Sequence, residues 1–315
     1  MKRDSILKES DYRDILVTCE NPIYELWPPQ YEAIKNGLLE KPSFCLSLET
    51  SAGKTFLAEL KIARTLAENP ECLVFYVAPY NALAKQVQRE LQKRLRVEPL
   101  RYNIKVLTGS YEIPDKQLDG VQDENIIITT PEKLDGLLRA QKENEEIQTL
   151  FDRLALVVFD ECHIVSSGKR GITYELLIAR LKTAFPTVRF LALSAVFSNI
   201  ETMAEWICND EEACYQSDWR PTRLHEVVWR KNEKGPVYDN EWVIEEYTRT
   251  EKPHEDALRM AMDLQKSYDN VLIMTGTKLH AENLARKIYE RLQLNEGDKT
   301  KLTPKEVTRL YQTSR

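Results

Sequence analysis

A lysine, a hydroxyl and two carboxylates stand where phosphate chemistry would need them. Glu49-Thr50-Ser51-Ala52-Gly53-Lys54-Thr55 follows the apolar run 44–48, and Asp160-Glu161-Cys162-His163 follows the apolar run 154–159. A glycine-containing turn between a buried strand and a helix aims backbone N–H groups at one point, and the helix N-terminus adds positive partial charge. At such a turn Thr50, Ser51, Ala52 and Gly53 form the cradle, Lys54 can reach β- and γ-phosphates, and the Thr55 hydroxyl can hold Mg²⁺. Asp160 at a strand end can bind the same ion, directly or through water. Glu161 beside it can orient and deprotonate an attacking water. Leu48 occupies the first glycine position of the GxxxxGK[ST] pattern, a departure from its strict form. Taken singly, the first string could be chance and the second an acidic turn; together they are the equipment of a P-loop NTP-hydrolysing protein. Cys162 alone reads as a packed thiol. His163 reads either as a polar core residue or as a sensor of the γ-phosphate.

These residues must be held by a sheet. Short apolar runs at 44–48, 72–77, 104–107, 125–129, 154–159 and 188–193, with a further apolar segment at 174–181, are interleaved with helical patterns such as 54–67 and 82–95. The strand-like runs are β-branched and do not alternate, the mark of strands covered on both faces in a parallel sheet. Such a sheet binds ligands at the carboxyl ends of its strands, which is where both strings fall. The expected fold is therefore α/β, a doubly wound, mostly parallel sheet. The pattern breaks near Asp218-Trp219-Arg220-Pro221. Residues 231–241 read as a polar surface loop, and a second unit follows with strands at 224–228 and 271–274 and helices at 257–265 and 281–292.

The 315 residues suit two domains or one large one, and 42% hydrophobic residues suffice for a core. A net charge of −6 does not by itself point to nucleic acid, although local patches still decide what a surface binds. Lys85, Arg89, Lys93 and Arg96 recur at helical spacing, with Arg94 and Arg101 nearby; a phosphate-facing stripe and a solvated helix surface are both open readings. The six cysteines contain no CxxC pair and read as reduced thiols of a cytoplasmic protein. No apolar leader and no 18-residue apolar stretch speaks for secretion or membrane spanning.

With these motifs in this order, residues 22–293 resemble the superfamily 2 DExH-box helicases of the Ski-two-like, DNA-repair type. Leu26-Trp27-Pro28-Pro29-Gln30 resembles their nucleotide-reading Q motif, with Gln30 before a helix at 31–39. Ala78-Pro79-Tyr80-Asn81, Thr108-Gly109-Ser110 and Thr130-Pro131-Glu132-Lys133 resemble their nucleic-acid-contacting motifs. Asn81 stands where the family has Arg or Lys, so one phosphate contact is absent there. Arg170-Gly171 with Glu175 resembles the segment after the DExH box. Ser194-Ala195-Val196 resembles the Ser-Ala-Thr coupling motif without its last hydroxyl, and Trp219-Arg220-Pro221 resembles the hinge to a second lobe.

The resemblance implies a RecA-like ATP-binding lobe at 1–220 and the start of a second lobe at 221–315. ATP and Mg²⁺ would bind through Gln30, the 50–55 cradle and Asp160, and Glu161 would act as base. Single-stranded DNA or RNA, DNA favoured, would lie over Pro79, Tyr80, Asn81, Thr108, Gly109, Thr130 and Pro131, and His163, Ser194 and Ala195 would couple the two sites. Nothing after Thr275 resembles the family's arginine-rich motif, so these residues alone are expected to hydrolyse ATP slowly. A longer chain or a second polypeptide would then complete the cleft. The alternative is a non-motor, nucleotide-gated binding or scaffold module; a P-loop small-molecule kinase leaves Ser194-Ala195-Val196 and Trp219-Arg220-Pro221 without a role.

Overall fold

The computed structural model describes residues 23–96, 100–109, 118, 120–166, 168–222, 258, 273 and 277–295. The chain divides into two compact units, Met1–Thr222 and Arg223–Arg315. In the first, seven strands form one sheet in the order β3-β4-β2-β5-β6-β1-β7. They are β1 (Phe44–Leu48), β2 (Leu73–Val77), β3 (Ile104–Leu107), β4 (Ile126–Thr129), β5 (Leu154–Phe159), β6 (Arg189–Ser194) and β7 (Cys214–Ser217). Every neighbouring pair is parallel, which places all carboxyl ends on one edge.

The unalternated apolar runs are explained by helices on both faces. Alternate residues of each strand enter different cores: Phe75, Val77, Val157 and Phe159 one, Val74, Tyr76, Leu156 and Val158 the other. The second core is closed by α1 (Pro28–Lys35), α2 (Lys54–Glu68) and α3 (Asn81–Leu95). The first is closed by α4 (Pro131–Ala140), α5 (Glu145–Asp152), α6 (Gly168–Ala184) and α7 (Ile200–Cys208). Burying a Leu, Ile or Phe side chain is worth about 1.5–3 kcal/mol, so the two layers fix the strand register that brings distant loops together.

Three local results differ from the sequence expectation. The apolar segment 174–181 is the middle of helix α6. The helix expected at 31–39 begins at Pro28 and ends at Lys35. Two prolines at its start have the backbone angle of a first helical turn, and Gly37, at φ +96°, ends the segment. Gln30 therefore lies inside the first turn. Strand β7 was not expected, because Cys214-Tyr215-Gln216-Ser217 is a half-polar edge strand. In the second unit, α8 (Lys278–Asn295) covers the helix expected at 281–292. The expected loop 231–241, strands 224–228 and 271–274, and helix 257–265 lie outside the described residues, apart from Leu258 and Ile273. Among the described residues no helix is long and apolar enough to cross a membrane.

Candidate functional site

Strand β1 ends in the turn 49–53 and β5 ends at Asp160, with only β6 between them. A cleft of about 490 Å³ opens over these ends, lined by Thr50, Ser51, Gly53, Lys54 and Thr55, by Asp160 and Glu161, and further out by Glu59 of α2 and Lys93 and Arg94 of α3. The lysine, the hydroxyl and both carboxylates read from the sequence thus share one cavity. Gly53 adopts φ +85°, and a Cβ there would come within 2.3 Å of Gln30 Nε2. No other residue fits that turn without displacing Gln30. Ser51 is also left-handed, at φ 70°. Lys54 Nζ donates to the Leu48 carbonyl at 2.9 Å. Burial holds the Lys54 ammonium below its ordinary pKa, opposed by Glu161, Asp160 and Glu49.

Gln30 ties two segments together. Its Oε1 accepts from Trp27 N–H at 3.0 Å, and its Nε2 donates to the Ala52 carbonyl at 3.1 Å. The side chain is buried against the phosphate turn and fixes the turn's backbone directly.

Asp160 is buried, and burial pushes its carboxyl up to about 6 against the opposing pull of the Tyr76 hydroxyl. That hydroxyl donates to Oδ2 at 2.9 Å, while the Glu161 N–H donates to Oδ1 at 2.9 Å. Glu161 is held at φ 50°, an uncommon angle for a residue with a Cβ. His163 Nδ1 lies 3.3 Å from Glu161 Oε2 and 3.2 Å from Ser194 Oγ. The Ser194 hydroxyl donates to the Val196 carbonyl at 2.8 Å and accepts from Val196 N–H at 3.1 Å. Glu161 and Ser194 thus both approach the same nitrogen of His163; Ala195 is half-buried and adds no side-chain polar group there.

The segments proposed for nucleic acid lie at the ends of β2, β3 and β4. Tyr80, Asn81 and Gly109 are exposed and Thr108 is half-buried. Pro79, Thr130 and Pro131 are buried; Thr130 caps α4 by accepting from Lys133 N–H at 3.4 Å. Ser110 lies outside the described residues. Lys85, Arg89 and Lys93 on α3 and Arg96 just after it are all exposed, whereas Arg94 turns inward, its Nη1 2.9 Å from Glu59 Oε2.

Residues 27–203 match the DEAD/DEAH box helicase family model. The chain belongs to the DEAD/DEAH box helicases. The Ski-two-like, superfamily 2 character read from its motifs holds for the first lobe. It is 31% identical over 274 residues to the ATP-dependent DNA helicase Hel308 of Methanocella arvoryzae, covering 86% of this chain and 34% of that protein. It is 33% identical over 246 residues to the Hachiman protein HamB of Bacillus cereus, covering 74% of this chain and 21% of that one. The fold also matches the crystal structure of the DUF1998 helicase MrfA, with a TM-score of 0.70 at 18% identity, covering 100% of this chain and 45% of that chain. The chain thus spans about a third or less of the curated relatives just named.

Glu49, at the start of the phosphate turn, pairs with Arg220 at 2.5 Å. Trp219 packs on Trp27, ring centroids 5.4 Å apart. Three features were missed in the sequence. Tyr76 could have been found, because a tyrosine inside a wholly apolar run must send its hydroxyl to some partner. Glu59 with Arg94, and Glu132 with Arg170, gave no local signal: each pair joins different helices.

Proposed function

We propose that this chain is the ATP-binding motor lobe, with the start of a second lobe, of an ATP-dependent nucleic-acid helicase that moves on single-stranded DNA. The observation that carries this reading is the convergence of Lys54, Thr55, Asp160 and Glu161 on one cleft, with His163 Nδ1 beside it 3.3 Å from Glu161 Oε2 and 3.2 Å from Ser194 Oγ.

The site's own geometry fits the nucleotide and its metal. Gly53 takes a left-handed angle that leaves the turn's backbone bare toward the cleft, and a hydroxyl and a carboxylate face the same cavity, the small protein ligand set that Mg²⁺ takes when phosphates and waters complete its shell. Thr55 and Asp160 would hold Mg²⁺, which when bound offsets phosphate charge. Lys54 exchanges the Leu48 carbonyl for phosphate oxygens. Glu161 accepts the proton of the attacking water. Gln30, already spanning Trp27 and Ala52, sets the turn and borders the base. His163 and Ser194 pass the state of Glu161 to the end of β6. Pro79, Tyr80, Asn81, Thr108, Gly109, Thr130 and Pro131 form the nucleic-acid edge, where backbone contacts hold a strand without reading its bases.

Lys54→Ala is expected to abolish ATP binding measured by calorimetry; unchanged affinity overturns the site. Slow hydrolysis by these 315 residues alone belongs to the same reading, and robust turnover of the purified chain would count against it. A non-motor, nucleotide-gated binding module is the second reading. It is favoured by Val196, 61% exposed and without the hydroxyl of the family's coupling motif. Strand-displacement assays on the full natural protein separate the two.

A further inference from the structure

Three segments distant in sequence meet at Arg170. Its Nε lies 3.3 Å from Glu132 Oε1, and its guanidinium stands 4.5 Å from the centroid of the Tyr80 ring. Tyr80 ends the β2 loop, Glu132 lies in the first turn of α4, and Arg170 lies in the first turn of α6. The site is partly open: the side chains of Arg170 and Glu132 are 38% and 26% exposed, and Tyr80 is 51% exposed. The ion pair uses Nε at a distance long for a charge-assisted bond, where a carboxylate can take an arginine by two parallel bonds at 2.7–2.9 Å. The guanidinium is thus held in place by the ring and the carboxylate without being saturated by them. The next residue after Tyr80 is Asn81, which carries no charge and opens α3.

We infer that Arg170 is a phosphate ligand of the bound single strand, supplying from α6 the positive charge that position 81 lacks. The inference rests on the nucleic-acid reading above and deepens it. Glu132 holds the guanidinium in the absence of a strand by standing in for a phosphate. Binding exchanges that weak single contact for a backbone phosphate, while the Tyr80 ring keeps the guanidinium plane over the strand ends. A partly exposed surface ion pair contributes little to stability, so the exchange costs little. Arginine suits the place because its planar fork serves the ring and an oxyanion at once.

The test is anisotropy of a labelled single-stranded oligodeoxynucleotide across a potassium chloride series, with circular dichroism to confirm folding. Each phosphate neutralised on a single strand contributes about 0.7 to the slope of log affinity against log salt. Arg170→Gln is expected to lower that slope by about 0.7 and to weaken binding at every sequence, while Arg170→Lys keeps the slope. Glu132→Gln, which releases Arg170 without removing it, is expected to strengthen binding severalfold; it also keeps the inference testable should Arg170→Gln fail to fold. Wild-type protein that binds, with a slope unchanged in Arg170→Gln or an affinity not raised in Glu132→Gln, overturns the role of Arg170 alone. Wild-type protein that does not bind overturns the nucleic-acid reading and this inference with it.

Discussion

Arg220 Nη2 stands 2.5 Å from Glu49 Oε2, so the segment after the last strand is tied to the first residue of the phosphate turn. Glu49 also adds to the field that opposes the lowering of the Lys54 pKa, so on the proposed reading its charge would lie near the bound nucleotide. Removing Arg220 leaves that carboxylate uncompensated beside the phosphates. Arg220→Ala is expected to weaken ATP binding by about tenfold, or ~1.4 kcal/mol. The double variant Glu49→Ala with Arg220→Ala should recover most of it. Calorimetric titration of the four proteins closes the cycle, and additive losses would show that the two residues act separately.

Gln30 is expected to act on the phosphate turn through its Nε2 donor. Gln30→Glu keeps an oxygen for the Trp27 N–H but turns the group facing the Ala52 carbonyl into an acceptor. A buried acceptor facing an acceptor should cost about 1–3 kcal/mol in urea denaturation. ATP affinity should fall with it, whereas a purely capping role would leave affinity at the wild-type value.

The Glu161–His163–Ser194 cluster predicts a separation of rates. Ser194→Ala removes the oxygen 3.2 Å from His163 Nδ1 and also frees the backbone of Val196. Basal ATP hydrolysis should change less than its stimulation by single-stranded DNA, which should drop several-fold. Steady-state turnover with and without the oligonucleotide measures both, and equal losses in the two would remove the cluster from coupling.

Glu59 makes the fold pH-dependent. Burial pushes its carboxyl up to about 7, with Arg94 pulling the other way. An unfolded glutamate titrates near 4.3, so between about pH 4 and 7 the folded protein binds a proton that the unfolded chain does not. The stability tied to this group is therefore fully present below about pH 4 and lost as pH rises through 7, by up to about 4 kcal/mol. Denaturation midpoints over that range should fall less steeply in Glu59→Gln than in wild type. Parallel curves would place the carboxyl's titration elsewhere.

The parallel sheet was readable because each strand is apolar on both faces, and the runs ending at Leu48 and Phe159 placed Lys54 and Asp160 on one edge before any coordinates. Helix α1 was misplaced by three residues at its start because Gln30 was set before the helix, whereas Pro28 and Pro29 already open its first turn. Strand β7 escaped because an edge strand needs only one apolar side. The pairings that tune the site, Tyr76 with Asp160 and Arg94 with Glu59, are long-range, and sequence spacing carries no record of which buried polar groups face each other.

Strand β6 lies directly between β1, which carries the phosphate turn, and β5, which carries Asp160. Adjacent strands are about 4.8 Å apart, so the tip of β6 at Ser194 is one spacing from each half of the proposed nucleotide site. On that proposed reading, loss of the γ-phosphate would reach Ser194 across a single strand, and what would remain to be carried far is movement rather than the signal itself.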